Sequence, residues 1–177
     1  MLNTGGNRFI SKNPCNIFRI KTLTELFPDA KFIFIYRNPY SVVESLYRFV
    51  NDVLPGSELQ HLEGGIPREY FARLYKDALH EYMYVRDIIK PGNLMEIRYE
   101  EFKKQPIAVL HDIYKLFGIP GITEALPGIE SYLKENHPDS RQPYHIKPET
   151  YRLVSEYAGD IISKLGYQII DPPDNQI

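Results

Sequence analysis

The spacing of apolar residues divides the chain into alternating helical and extended segments. In six stretches the apolar positions recur every three to four residues, which places them on one face of a helix. The predicted helices are residues 16–27, 39–50, 67–89, 106–117, 126–136 and 148–165. Short apolar runs predict strands at residues 8–11, 31–36 and 94–99. Strands that alternate with helices are typical of an α/β protein with a parallel sheet.

The strongest predicted strand is the run Lys-Phe-Ile-Phe-Ile-Tyr at residues 31–36. It is apolar at successive positions, as expected of a strand buried on both faces of a parallel sheet. Pro39 follows shortly afterwards, where the first turn of a helix accepts proline. Ligands of open α/β sheets bind at the carboxyl ends of the strands, so Arg37, at the turn between strand and helix, is a candidate ligand-binding residue.

Arg37 and Ser45 together predict an anion site at this turn. A guanidinium suits the geometry of phosphate, and a helix N-terminus offers N–H groups and the positive end of its dipole. The Ser45 hydroxyl lies about two turns further along the same helix. The alternative is that Arg37 pairs with a nearby carboxylate, Asp29 or Glu44, and that Ser45 is only a small residue facing the sheet.

Length and composition restrict the remaining classes of protein. With 177 residues we expect one domain, at residues 1–170, followed by a tail at 171–177. A net charge of −2 argues against a globally cationic nucleic-acid binder, and no apolar run approaches the ~20 residues that span a bilayer. The single cysteine, Cys15, excludes an intramolecular disulfide and is expected to be a small buried residue. It favours a reducing compartment, and no signal-peptide pattern opens the chain, so a cytoplasmic location is expected.

Several short segments resemble the sulfotransferase superfamily, whose members transfer a sulfuryl group from 3′-phosphoadenosine 5′-phosphosulfate (PAPS). The likeness is strongest in Lys-Asn-Pro at residues 12–14, in residues 26–33, and in Tyr-Arg-Asn-Pro at residues 36–39 followed by Ser45. It continues through Arg-Tyr-Glu-Glu at residues 98–101 and the helix at residues 109–117 to the Leu-Gly-Tyr that closes the last helix.

The resemblance implies an α/β fold, a partial P-loop-like sulfotransferase domain with a short parallel sheet flanked by helices. It implies PAPS as the donor, no metal, and a small-molecule or carbohydrate acceptor with a hydroxyl or amine. It also implies that Arg37 and Ser45 hold the 3′-phosphate, that Tyr99 contacts adenine and that Lys12 stabilises the leaving phosphate; Arg141 would reach the 3′-phosphate from a polar loop. Without the resemblance, Lys12 fits a solvated surface residue, Tyr99 a packing residue and Arg141 a surface loop.

The chain also departs from the family pattern. Family members open with a strand, a phosphate-cradling loop and a helix, and no such segment precedes Lys12. We therefore expect the C-terminal part of a domain, with a missing N-terminal segment or a second copy of the chain as its partner. Pro14 stands where many members carry a histidine base. The alternative function is a degenerate domain that binds nucleotide without catalysis. Glu100, beside Glu101 and two lysines, is expected on a solvated face.

Overall fold

Helices surround a short parallel sheet in the computed structural model, which describes residues 8–57, 63–136 and 145–171. The strands are β1 (Phe32–Tyr36) and β2 (Leu94–Arg98). The α-helices are α1 (Ile20–Leu26), α2 (Pro39–Arg48), α3 (Arg68–Val85), α4 (Tyr99–Lys104), α5 (Pro106–Leu116), α6 (Ile122–Glu135) and α7 (Pro148–Lys164). Short segments of 3-10 or π geometry lie at Pro14–Arg19, Phe49–Val53, Leu54–Ser57 and Arg86–Ile88. The predicted α/β class is confirmed.

The sheet is the pair β1–β2, which run parallel with Phe32 opposite Leu94 and Tyr36 opposite Arg98. Both strands therefore end at the same edge, and the residues that follow them lie side by side. The strand predicted at residues 8–11 is wrong, because this segment is exposed and has no regular structure. Its two apolar side chains remain largely exposed, so no buried face stabilises strand pairing there.

The main core lies where α2, α3 and α7 pack together on one side of the sheet. It contains Val43 from α2, Phe71 from α3 and Val154 from α7, all almost fully buried. Phe34 of β1 points to this side and stacks on Tyr82 of α3, with ring centroids 3.7 Å apart. The other face of β1 was expected to be buried too, and this is wrong: Ile33 and Ile35 are 45% and 54% exposed, since no described helix covers them.

Glu44 joins the three core helices through polar contacts. Only 1% exposed, it lies 3.2 Å from Arg68 Nη2 of α3 and accepts a hydrogen bond of 2.5 Å from the Thr150 hydroxyl of α7. The Arg68 guanidinium also lies over the Tyr47 ring, 3.8 Å from its centroid. Burial alone would raise the pKa of the Glu44 carboxyl, but the hydrogen bonds and charge of Arg68 and Thr150 outweigh it and lower that pKa. Glu44 is therefore ionised at neutral pH and holds α2 in place.

Within the ranges given above, no helix is long and apolar enough to cross a bilayer.

Candidate functional site

The carboxyl edge of the sheet brings together two residues that the sequence singled out. Arg37 follows β1 and Tyr99 follows β2, and the Arg37 guanidinium carbon lies 5.0 Å from the centroid of the Tyr99 ring. This is within the range of a cation–π contact. Arg37 is exposed and Tyr99 is half-buried. The edge therefore presents a cation and an aromatic ring as one surface.

Arg37 has no carboxylate within ion-pair distance among the described residues. The two acids that could have paired with it have other partners: Asp29 lies 3.5 Å from Lys90, and Glu44 is held by Arg68. The structure thus gives no support to the alternative that Arg37 serves a local ion pair. An exposed guanidinium without an internal anion can bind an anionic ligand bidentately.

The N-terminus of α2 is capped from within the chain. The Asn38 side chain accepts a hydrogen bond of 3.1 Å from the Ser41 N–H, and its carbonyl accepts one of 3.1 Å from the Val42 N–H. Pro39 has no N–H, and the Asn38 N–H donates to Glu100. The N–H groups of Ser41 and Val42 are therefore taken up within the chain, whereas the Tyr40 N–H has no partner among the described residues. This helix end leaves one backbone N–H, beside the side chains, for an anion.

Ser45 lies on the face of α2 that begins at Asn38. Residues 41 and 42 lie three and four positions after residue 38, and residue 45 lies four and three positions after them. At this helical spacing their side chains share one side of the helix. Ser45 is half-buried, and its hydroxyl makes no hydrogen bond to any residue in the described ranges. It neighbours the fixed Glu44, which sets the rotation of α2 at this point. Ser45 therefore presents a hydroxyl from a helix whose position is fixed.

Glu100, expected on a solvated face, is instead a central residue of this edge. One carboxylate oxygen accepts the Asn38 N–H at 2.8 Å, and the other accepts the Tyr167 hydroxyl at 2.7 Å. Arg98 Nε lies 3.5 Å from the second oxygen. Burial raises the pKa of the Glu100 carboxyl, but the hydrogen bonds from Asn38 and Tyr167 lower it by more. One sequence signal could have identified this role: Glu100 directly follows the carboxyl end of the strand predicted at residues 94–99.

The remaining predicted site residues are placed apart or lie outside the described ranges. Lys12 is exposed in the irregular segment before Pro14–Arg19 and makes no hydrogen bond or ion pair with described residues. Arg141 lies outside the described residues. Cys15 is exposed, which corrects the expectation of burial. Within the described residues no three His, Cys, Asp or Glu side chains are grouped as metal ligands.

Comparison with known proteins identifies the family. The model of the Sulfotransferase family matches residues 2–124. Omega-hydroxy-beta-dihydromenaquinone-9 sulfotransferase Stf3 of Mycobacterium bovis and of Mycobacterium tuberculosis is 31% identical over 158 residues, 89% of this chain. The chain spans 41% of the length of these relatives.

A solved structure, the sulfotransferase domain from the curacin biosynthetic pathway, shares the fold. It superimposes with a TM-score of 0.50 at 21% identity, covering 89% of this chain and 60% of that one. Together with the family match over residues 2–124, this confirms the resemblance found in the sequence. The chain belongs to the sulfotransferase family.

Proposed function

We propose that this chain forms the nucleotide-binding part of a sulfotransferase that takes its sulfuryl group from PAPS. One observation carries the proposal: at the carboxyl edge of a parallel sheet, an exposed arginine lies against an aromatic ring, and no described carboxylate pairs with it. This edge is where open α/β sheets bind their ligands. A nucleotide with a phosphate on its ribose presents an anion to the guanidinium and a planar base to the ring.

Each group has a part of the nucleotide to bind. The planar fork of Arg37 matches two oxygens of the 3′-phosphate, and the Ser45 hydroxyl, on the face of α2 that starts at Asn38, donates to a third. The Tyr99 ring offers its π-face to adenine. We also propose that Lys12 stabilises charge on the leaving phosphate and that Arg141 contacts the 3′-phosphate. Family membership supports these last two assignments.

The proposed reaction is in-line transfer to a hydroxyl. A bond forms between the acceptor oxygen and sulfur, while the bond from sulfur to the bridging phosphate oxygen breaks. Its electron pair leaves with adenosine 3′,5′-bisphosphate, and the hydroxyl proton passes to a base or to water. The name of the mycobacterial relatives specifies a hydroxylated menaquinone. It supports a hydroxyl over an amine as the acceptor of this chain. As in phosphoryl transfer, positioning and charge stabilisation would supply most of the rate.

A second candidate is a module that binds the nucleotide without transferring sulfate. It is favoured by one observation: Lys12, the residue assigned to charge on the leaving phosphate, is exposed and makes no hydrogen bond or ion pair with the described residues. A sulfate-transfer assay with labelled PAPS separates the two functions, because only the first gives a labelled acceptor.

Calorimetric titration with adenosine 3′,5′-bisphosphate, beside adenosine 5′-monophosphate, tests the nucleotide site. We expect the wild-type chain to prefer the bisphosphate. Arg37→Ala should remove about 1.5–3 kcal/mol of its binding free energy, roughly 10- to 150-fold in Kd, the scale of a hydrogen bond to a charged group. Arg152→Ala is the matched control, because Arg152 is an exposed arginine on α7 that pairs with Glu156. If a folded wild-type chain shows no preference, the assignment of Arg37 is wrong.

A further inference from the structure

One carboxylate connects three segments that are distant in sequence. Glu100 accepts the Asn38 N–H from 62 residues away and the Tyr167 hydroxyl from 67 residues away. Asn38 belongs to the turn after β1, Glu100 to the start of α4, and Tyr167 to the chain beyond α7. We call this set of three residues the Glu100 bridge. Both oxygens of the carboxylate are used by protein donors.

The Glu100 bridge lies beside the two residues that form the candidate site. Asn38 directly follows Arg37, and Glu100 directly follows Tyr99. A hydrogen bond of 2.8 Å between these neighbours therefore fixes the backbone that carries the guanidinium relative to the backbone that carries the ring. The sheet pairing ends with the strands at Tyr36 and Arg98, so the bridge continues the connection two residues beyond the sheet.

Tyr167 holds the carboxylate in this orientation, and Arg98 packs on the Tyr167 ring. The Tyr167 hydroxyl bond is 2.7 Å long, and the Arg98 guanidinium carbon lies 4.2 Å from the centroid of the same ring. Tyr167 also meets Tyr36 of β1 edge-on. The phenol is therefore packed on two sides. Its hydroxyl binds the second oxygen of the Glu100 carboxylate, so the first oxygen is left to accept the Asn38 N–H.

We propose that Glu100 is a positioning residue for nucleotide binding: through the Asn38 N–H it holds Arg37 where it can meet a ribose phosphate while Tyr99 meets the base. This inference rests on the proposed function. Glu100 acts on the nucleotide only through Arg37. The bridge holds the backbone of this exposed arginine in a defined position before the nucleotide binds. Preorganised donors bind more tightly because less freedom is lost on binding.

The chain contains a matched control for the bridge. In a second cluster the Tyr157 hydroxyl donates to Glu69 at 2.6 Å, Arg73 lies 2.7 Å from the same carboxylate oxygen, and the Arg73 guanidinium lies over the Tyr157 ring. Its glutamate, tyrosine and arginine match Glu100, Tyr167 and Arg98 in residue type. The cluster joins α3 to α7, and none of its residues neighbours Arg37 or Tyr99 in the chain. Substitutions in this cluster change the same chemistry away from the candidate site.

The test compares the preference for adenosine 3′,5′-bisphosphate over adenosine 5′-monophosphate in both clusters. We expect Glu100→Ala to reduce this preference about tenfold, less than or equal to the effect of Arg37→Ala, because the arginine is displaced rather than removed. Glu100→Gln keeps one acceptor for the Asn38 N–H and should restore most of the preference. Tyr167→Phe keeps the ring and removes only the hydroxyl, so it should give an intermediate loss and serves where Glu100→Ala does not fold.

The outcomes separate the inference from the proposed function. Glu69→Ala and Tyr157→Phe should leave the preference unchanged, whatever they do to the unfolding temperature. If folded Glu100→Ala or Tyr167→Phe retains the wild-type preference, or if the control variants reduce it equally, Glu100 is not a positioning residue. If the wild-type chain itself shows no preference, the proposed function fails, and this inference fails with it.

Discussion

Arg68→Met isolates the charge that compensates the most deeply buried carboxylate of the core. Methionine keeps much of the apolar stem over Tyr47 and removes the guanidinium. Glu44, 1% exposed, then loses contacts of 3.2 and 3.4 Å and keeps the Thr150 hydroxyl. Removing one partner of a buried ion pair costs about 3–5 kcal/mol. The Arg68 side chain is 16% exposed, so water reaches this end of the pair, and we expect the lower value.

The expected loss is therefore about 3 kcal/mol of unfolding free energy at pH 7, or about 6–12 °C in Tm for a chain of this length. Its pH dependence follows from Glu44. In the wild type the pKa of the Glu44 carboxyl is lowered. The ionised carboxyl therefore stabilises the fold fully at pH values above the ordinary glutamate pKa, and this stabilisation is lost as the pH falls through the lowered pKa. Without Arg68, burial raises the pKa of the Glu44 carboxyl. Protonation of Glu44 at acidic pH then makes the variant more stable than it is at neutral pH. The difference between the two proteins should narrow toward pH ~4.

Urea and thermal unfolding followed by circular dichroism at pH 7 and near pH 4.5 measure this difference. The control is Arg73→Met, which removes an arginine from the exposed Arg73–Glu69 pair on the same helix and should shift the midpoint little at either pH. A loss from Arg68→Met that is equal at both pH values would refute the reasoning, because it would then come from packing on Tyr47 and not from the Glu44 charge.

Two further predictions concern aromatic side chains. Tyr99→Ala should weaken adenosine 3′,5′-bisphosphate and adenosine 5′-monophosphate by the same factor, about 1–3 kcal/mol each in calorimetry, because both carry the adenine that we assign to this ring; a loss confined to one nucleotide would contradict that assignment. Tyr82→Phe keeps the stacking on Phe34 and removes the hydroxyl that donates to Glu96 at 2.6 Å. It should lower the unfolding free energy by about 1 kcal/mol in urea titration, since Arg86 still pairs with Glu96; a wild-type value would show that this hydrogen bond contributes nothing.

The sequence predicted those parts of the fold that depend on neighbours close in the chain. Helical spacing is a local pattern, so α2, α5 and α7 form within two residues of their predicted ends. The six-residue helix α4 was missed because it begins where the apolar pattern of the strand predicted at residues 94–99 ends. Burial of both faces of β1 was wrong because an apolar strand pattern cannot specify whether a covering layer is present.

Parallel topology explains one contact of the candidate site. That Arg37 and Tyr99 meet follows from two parallel strands ending at one edge. The partners of Glu100 could not be found in this way, because side-chain hydrogen bonds over more than 60 residues leave no periodic trace in the sequence. Glu44, a candidate partner of Arg37, pairs instead with Arg68, 24 positions further along the chain, and no periodic pattern indicates this pair either.

The pairing of β1 with β2 has a consequence for the order of folding. The two strands are separated by 62 positions, and closing a chain segment of that length costs about 3.7 kcal/mol of entropy beyond a constant term. The helices between them can form in microseconds, whereas this closure depends on contacts between distant segments and raises the contact order. Arg37 and Tyr99 meet only once the strands have paired. Nucleotide binding during refolding should therefore lag behind helix formation, and its kinetics would report the arrival of β2 at β1.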